Sequence, residues 1–210
     1  MQNFYVLDVS HGNSAVLIDS EGVIVIDTSS KTALLEFMLD NNIHKIDVLL
    51  LSYADREHIA SVIALLASEQ IQFGRVYLNS DATKNSQIWN ILIYTLWDAH
   101  KKNILYFKPS FIPHLNGKLD RSEIAIEVLA PNQYIGTDRQ GRKLSPNSIG
   151  VIIRLSYKGK PLALLPGDIE LENLLEDNAE LAAWFMLYPH QGSKPSKYQD
   201  IYHPFLISYQ

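Results

Sequence analysis

The sequence has 210 residues, 47% of them hydrophobic, a formal net charge of −5 at pH 7 and no cysteine. A chain of this length and hydrophobic content can bury a full core, whereas the absence of cysteine excludes a disulfide framework and a thiolate metal site. The negative charge gives no overall attraction to nucleic acid. We therefore expect one domain spanning residues 1–210, in the reducing cytoplasm.

The first half of the chain alternates strand-like and helix-like segments. It starts at Met1 without the positively charged region of a signal peptide, and no apolar run reaches the ~18 residues needed to cross a membrane. Apolar alternation around a Glu21-Gly22 turn predicts three strands, and longer periodic segments predict helices. The predicted elements are strands 4–9, 14–19 and 23–27, helix 34–41, strand 47–52, helix 58–68, strand 75–79 and helix 87–101.

The second half repeats this alternation. The predicted elements are strand 124–130, a long loop at 132–146, a hairpin of strands 149–157 and 161–165, helix 170–184 and a final strand at 204–210. Two similar halves of strands and helices predict an α/β (α+β) fold, a four-layer αββα sandwich with two sheets back to back. Because the chain ends with the last predicted strand, we expect either a naturally short domain or a fragment.

Three predicted strands end in side chains that bind metals or transfer protons. These side chains are Asp55, Glu57 and His58 after strand 47–52, Asp168 after the apolar run 162–166, and His190 after the apolar run 185–188. Strand ends of one sheet can converge, and carboxylate and imidazole groups are ligands of hard or borderline metal ions. We expect the three groups to meet at one edge of the fold. A structural role for the first group remains open, because acidic residues at a helix start also complement the helix dipole.

Five short motifs, in order, carry a resemblance to a known family. They are Asp8-Val9-Ser10-His11-Gly12-Asn13-Ser14, Ile26-Asp27-Thr28-Ser29, Leu51-Ser52-Tyr53-Ala54-Asp55-Arg56-Glu57-His58, Leu165-Pro166-Gly167-Asp168 and Pro189-His190-Gln191-Gly192-Ser193. The set resembles the metallo-β-lactamase superfamily, in particular the branch of the ComEC/Rec2-like metallo-hydrolase domains. That branch typically reads D-V-G-(Q/H)-G-(D/N)-S, I-D-x-G, L-S-H-x-D-x-D-H, L-x-x-G-D and P-H-H-G-S. The resemblance implies the αββα sandwich and a metal site at Asp55, Glu57, His58, Asp168 and His190.

Three positions depart from the family pattern. Tyr53 stands where the family has its first metal-binding histidine, and a phenol with a pKa near ~10 is a poor zinc ligand. Glu57 replaces an aspartate and carries its carboxylate one methylene further out, although ligand distances tolerate only about ±0.2 Å. Gln191 replaces the second histidine of P-H-H-G-S. These departures predict a degenerate site that holds one zinc or manganese ion weakly, or none.

Two functions follow from the resemblance. In the first, the domain has lost catalysis and works as a binding or scaffolding subunit with protein partners, for example in a bacterial antiviral defence system. In the second, it is a metal-dependent hydrolase of the phosphodiesterase or nuclease type, which would also bind nucleic acid. In that case Asp55, Glu57 and Asp168 would be the catalytic carboxylates.

Other polar and aromatic residues have ordinary explanations. We predict that His11 lies in a turn and bonds to backbone, that Asp27 bonds to nearby loop amides, and that His203 is a loop residue. The tryptophans lie on predicted helix faces, which indicates core packing or a protein interface. They are Trp89, Trp97 and Trp184.

Overall fold

The computed structural model describes residues 3–7, 13–29, 32–79, 86–107, 117–121, 123–130, 150–167 and 185–186. The chain divides into two compact units, Met1–Phe111 and Ile112–Gln210. Each unit contains one β-sheet, and the described helices belong to the first unit. Within the described residues, every helix is too short or too polar to span a bilayer.

A six-stranded sheet and three helices form the first unit. The strands are β1 (Asn3–Val6), β2 (Ala15–Asp19), β3 (Gly22–Ile26), β4 (Lys45–Leu51), β5 (Gln72–Leu78) and β6 (Tyr106–Phe107), and the helices are α1 (Ala33–Asp40), α2 (Arg56–Ser68) and α3 (Gln87–Lys101). The strand order is β1-β2-β3-β4-β5-β6. β1, β2 and β3 pair antiparallel, whereas β3 to β6 pair parallel.

Helices connect the parallel strands, as parallel pairing requires. α1 joins β3 to β4, α2 joins β4 to β5, and α3 joins β5 to β6. Leu49, Leu50 and Leu51 of β4 are all fully buried. Because successive side chains of a strand point to opposite faces, β4 is buried on both faces, which is typical of a central parallel strand.

Each helix buries one apolar face in the core of the first unit. The buried helix residues of this core are Leu34 and Met38 of α1, Ile59, Val62 and Leu65 of α2, and Trp89, Leu92, Leu96 and Ala99 of α3. Their spacing of three or four residues produces the apolar stripe that a surface helix packs inward. Of the two alternatives predicted for Trp89, core packing and a protein interface, the structure shows core packing.

The predicted helix boundaries are nearly those observed. α3 has the predicted bounds, and its N-cap Ser86 accepts a hydrogen bond from the Trp89 amide at 3.3 Å. α2 begins at Arg56, two residues before the predicted start, because the extended backbone of Asp55 places that residue at the N-cap. Glu57, which precedes the predicted helix 58–68, therefore belongs to the first turn of α2 together with His58.

The second unit contains a four-stranded sheet. Its strands are β7 (Ile124–Ala130), β8 (Ile152–Tyr157), β9 (Lys160–Leu165) and β10 (Phe185–Met186), in the order β10-β9-β8-β7. β8 and β9 form the predicted hairpin, and Lys158 and Gly159 at its tip both have positive φ, 50° and 75°. Two such residues are typical of the two-residue turns that match the twist of paired strands.

An ion pair crosses from β7 to β8 in this sheet. Arg154 Nε lies 2.8 Å from Glu127 Oε2, and Ser156 Oγ donates to the same oxygen at 3.2 Å. The hydrogen bond from Arg154 lowers the pKa of Glu127 from its usual value. The predicted loop 132–146, helix 170–184 and final strand 204–210 lie outside the described residues.

Candidate functional site

The candidate site is built at the carboxyl ends of three neighbouring parallel strands of the first unit. β3 ends before Asp27, β4 before Ser52 and β5 before Asn79, and all three polar residues are buried, with exposed fractions of 1–2%. The carboxyl ends of parallel strands are where α/β proteins bind ligands. In the sequence, each of these buried polar residues is recognisable because it directly follows the apolar run of a strand.

Asp27 is the centre of a buried hydrogen-bond network. Its Oδ1 accepts from the Ser52 amide at 2.8 Å, and its Oδ2 accepts from the Ser52 hydroxyl at 2.5 Å. Its Oδ2 also lies 3.0 Å from Nδ1 of His58, which is fully buried. The prediction that Asp27 bonds to a loop amide is confirmed. The bond to His58, which links motifs 31 residues apart, is an addition that only the tertiary structure reveals.

The hydrogen bond between Asp27 and His58 fixes the chemistry of the imidazole. An ionised carboxylate can only accept hydrogen bonds, so Nδ1 carries the proton. In a neutral imidazole protonated at Nδ1, the unprotonated nitrogen is Nε2. Metal-binding histidines almost always donate their other ring N–H to a carboxylate, a carbonyl or water, and His58 has this arrangement.

The loop after β3 also holds the first turn of α2 through its backbone. The Thr28 amide and the Thr28 hydroxyl both donate to the His58 carbonyl, each at 3.0 Å. The Ser61 amide donates to the Ser29 carbonyl at 3.2 Å. Asp27 and Ser29 have φ values of 58° and 63°. This left-handed backbone is unfavourable for most residues other than glycine, asparagine and aspartate. The hydrogen bonds from Thr28 and Ser61 offset that cost and hold the loop in place.

Tyr53 packs directly beside His58. Its side chain is 1% exposed, and its ring centroid lies 5.1 Å from the imidazole centroid with an interplanar angle of 34°. Asn79 stabilises the adjacent backbone, since its Nδ2 donates to the Ser52 carbonyl at 3.1 Å. A buried aromatic ring therefore lies directly against the imidazole.

The remaining predicted site residues divide into two groups. Asp55 and Glu57 are half-buried at the start of α2, and the Asp55 carbonyl accepts from the amides of His58 and Ile59 at 2.9 and 3.2 Å. The other predicted residues lie outside the described part of the chain: Asp168, His190, Gln191, His11 and His203. Their predicted meeting with Asp55 therefore stays a prediction.

The described residues do not fit the two-ion site of the family pattern. Within them, no group of three or more His, Asp or Glu side chains is placed to hold a metal ion. His58 has the geometry of a ligand, but the neighbouring ligand position carries the phenol of Tyr53. Sequence reasoning found His58 and Tyr53, whereas it missed the contributions of Ser52, Thr28 and Asn79 to the buried network.

Comparison with solved structures identifies the fold. The chain matches Tm1679, a metal-dependent hydrolase of the β-lactamase superfamily, with a TM-score of 0.61 and 13% identity, covering 99% of this chain and 95% of that one. A candidate metallo-β-lactamase from Thermotoga maritima gives a TM-score of 0.53 and 11% identity. This match covers 90% of this chain and 96% of that one. The metallo-β-lactamase fold protein YhfI from Bacillus subtilis gives a TM-score of 0.52 and 12% identity. This match covers 84% of this chain and 62% of YhfI.

These likenesses show the metallo-β-lactamase fold and confirm the fold class predicted from the sequence. No protein-family model matches the sequence, and no curated protein is similar to it.

Proposed function

We propose that the chain is a catalytically degenerate metallo-β-lactamase-fold domain of the ComEC/Rec2-like branch. It acts as a binding or scaffolding subunit of a larger protein assembly. The observation that carries this proposal is the buried ring of Tyr53, which packs on His58 where the family pattern has its first metal-binding histidine.

Tyr53 opposes metal binding in two ways. A tyrosine is not among the usual zinc ligands, so the position lacks the imidazole of the family pattern. Its ring also packs against the imidazole of His58, with the two centroids 5.1 Å apart. The Asp27 network supports the same interpretation, since it keeps His58 in place through protein hydrogen bonds and requires no ion.

The second candidate is a metal-dependent hydrolase that uses a reduced, one-metal site. The observation that favours it is the contact between Asp27 Oδ2 and His58 Nδ1, because metal-binding histidines typically have such a carboxylate partner at their other ring nitrogen. Asp55, Glu57, Asp168 and His190 would supply the other donors. A zinc or manganese ion in such a site would lower the pKa of a bound water and polarise a phosphoryl oxygen.

Metal content decides between the two candidates. We expect the untagged protein, purified without chelator, to contain less than one equivalent of zinc or manganese by inductively coupled plasma mass spectrometry. The family ligand set is incomplete at Tyr53 and Gln191, which is the physical reason for this expectation. His44→Ala, a change at an exposed histidine at the opposite end of β4 from the candidate site, serves as the control for surface binding. Two tightly held ions per chain would overturn the degenerate-site proposal and favour the hydrolase.

Restoring the family residues is expected to restore metal affinity. The double variant Tyr53→His and Glu57→Asp should bind zinc about tenfold more tightly or better in a calorimetric titration, since loss of an outer-sphere partner alone changes affinity about 10–100-fold. An imidazole and a shorter carboxylate suit the geometry of a zinc site.

The control for this titration makes the same two exchanges elsewhere. Tyr157 is an exposed tyrosine at the end of β8, and Glu36 is an exposed glutamate in the first turn of α1. Tyr157→His with Glu36→Asp should leave zinc affinity at the parent value. Equal affinity in parent and restored variant would mean that Tyr53 and Glu57 do not limit binding, and Gln191 would then be the next position to change.

The partner of the proposed subunit is another protein, and the motif resemblance suggests a bacterial defence assembly as its setting. Affinity purification from the native host tests this idea. Co-purification with the products of neighbouring genes would support it. Isolation with nucleic acid alone would favour the nuclease candidate.

A further inference from the structure

We infer that α3 carries a self-association surface through which two copies of the chain form a two-fold dimer. The surface, called the α3 patch below, consists of Ile91, Tyr94, Trp97, Ile104 and Tyr106. These side chains are 44%, 76%, 39%, 57% and 48% exposed, respectively. The inference goes beyond the proposed function and does not depend on the state of the metal site.

The outward face of α3 carries three large apolar side chains. Ile91, Tyr94 and Trp97 follow one another at intervals of three residues, so they lie on one side of the helix. The same helix also carries the exposed polar residues Gln87 and Asn90 and the charged residues Asp98 and Lys101. A surface helix usually places charged and polar residues opposite its buried stripe, whereas α3 places these three apolar side chains among them.

Aromatic contacts hold Trp97 and Tyr106 of the patch in place. The Trp97 ring packs edge-on against Phe107 at 5.1 Å and against His100 at 5.7 Å, and His100 packs against Tyr106 at 5.8 Å. These contacts join the helix face to β6. A side chain that is already fixed loses little conformational entropy on binding, which favours association. Tyr and Trp are also the residue types enriched at the energetic centres of interfaces.

The size of the patch matches what a homodimer needs. The five exposed fractions correspond to roughly 500–600 Å² of surface, if a fully exposed side chain of this size offers about 200 Å². A standard interface buries about 800 Å² per partner. The patch would thus supply about two thirds of the area that one partner buries. In homodimer interfaces, apolar atoms contribute about 65% of the buried area, so the patch could form the apolar part of such an interface.

The charge distribution favours a second copy over a charged partner. The charges near the patch lie at the carboxyl end of α3, where Lys102 Nζ pairs with Asp98 Oδ2 at 2.7 Å. A nucleic-acid partner would require a basic stripe along the helix. The apolar side chains of two identical patches can instead pack on each other, with the paired charges of Asp98 and Lys102 at the edge.

A two-fold axis at Tyr94 gives a self-complementary arrangement. Tyr94 lies three residues from Ile91 and three from Trp97, so it is the centre of the helix face. With two α3 helices packed antiparallel, Ile91 of one protomer faces Trp97 of its partner, and the same contact occurs again across the axis. The helix dipoles are then also antiparallel.

The first test is sedimentation velocity of the full chain with two matched variants. We expect dimer at about 100 μM for the parent. Tyr94→Lys should weaken dimerisation at least about tenfold, because it places two ammonium groups against each other at the axis. Leu39→Lys makes the same kind of change at an exposed apolar residue of α1, and it should dimerise like the parent. Thermal unfolding of both variants should remain close to that of the parent.

The second test uses the absence of cysteine from the chain. Tyr94→Cys should form a disulfide-linked dimer on mild oxidation, because a bridge requires Cα atoms about 4.4–6.8 Å apart. Leu39→Cys should remain uncrosslinked at the same concentration. A monomeric parent at 100 μM, or a dimer that tolerates Tyr94→Lys and does not crosslink at position 94, would overturn the inference. Neither result depends on metal content, so failure here is distinct from failure of the proposed function.

Discussion

Replacing Asp27 by alanine is expected to lower the free energy of unfolding by about 3 kcal/mol or more, because three buried donors lose their acceptor. The substitution leaves the Ser52 amide, the Ser52 hydroxyl and the His58 ring N–H without their acceptor in the protein interior. Each buried donor left unsatisfied costs about 1–3 kcal/mol. Urea denaturation followed by circular dichroism at pH 7 measures the change.

Two further substitutions separate the hydrogen bonds from the backbone strain at this position. Asp27 has a φ of 58°, so alanine there adds strain of about 1–2 kcal/mol. Asp27→Gly removes the carboxylate without that strain. Asp27→Asn keeps one side-chain oxygen, and asparagine tolerates the left-handed backbone conformation. We expect the loss of stability to rise in the order Asn, Gly, Ala. If Asp27→Gly were as stable as the parent, the buried network would contribute nothing, and the structural account of His58 would be wrong.

Gly74→Ala is the second change with a large expected effect, a loss of about 2–3 kcal/mol or more in the free energy of unfolding. A Cβ at Gly74 in β5 would lie 2.5 Å from the backbone oxygen of Asp47 in β4 and 3.2 Å from its carbonyl carbon. Both neighbours are main-chain atoms of a paired strand. Relief would therefore require the two strands to move apart and weaken their hydrogen bonds.

Gly159→Ala is the matched control for this prediction. Gly159 has a φ of 75°, and a Cβ there would have no atom within 4 Å. Its substitution should cost only the strain of a left-handed alanine, about 1–2 kcal/mol. Gly74→Ala should be the less stable of the two by urea denaturation. Equal stability would show that β4 and β5 can separate locally without loss.

The sequence was a good guide to the elements of the first unit. The apolar period of α3 gave its bounds, and in the second unit the Lys158-Gly159 turn gave the β8–β9 hairpin, because these signals are local to the segment that they shape. The short strand β6 was missed. It is two residues long, and its pairing with β5 comes from neighbours rather than from its own pattern. The start of α2 was misplaced for a related reason, since backbone geometry at Asp55 determines it.

For the candidate site, the sequence by itself determined which chemical groups follow each strand. It identified His58 as an imidazole at the end of a buried strand, and it identified Tyr53 as a departure from the family pattern. Residue type and order are properties of the chain, so no structure is needed to establish them. The same holds for the exclusion of thiolate ligands, because the chain has no cysteine.

Only the tertiary structure decided what these groups contact. The bond between Asp27 and His58 joins residues 31 positions apart, and it forms because parallel pairing of β3 with β4 brings both strand ends to one edge. The burial of Tyr53 against His58 depends on packing, which no periodicity encodes. The exposure of Tyr94 and Trp97 was likewise undetermined, because an apolar residue on a helix has the same sequence pattern whether it faces the core or another protein. Local patterns specify elements, whereas long-range packing specifies which side chains meet.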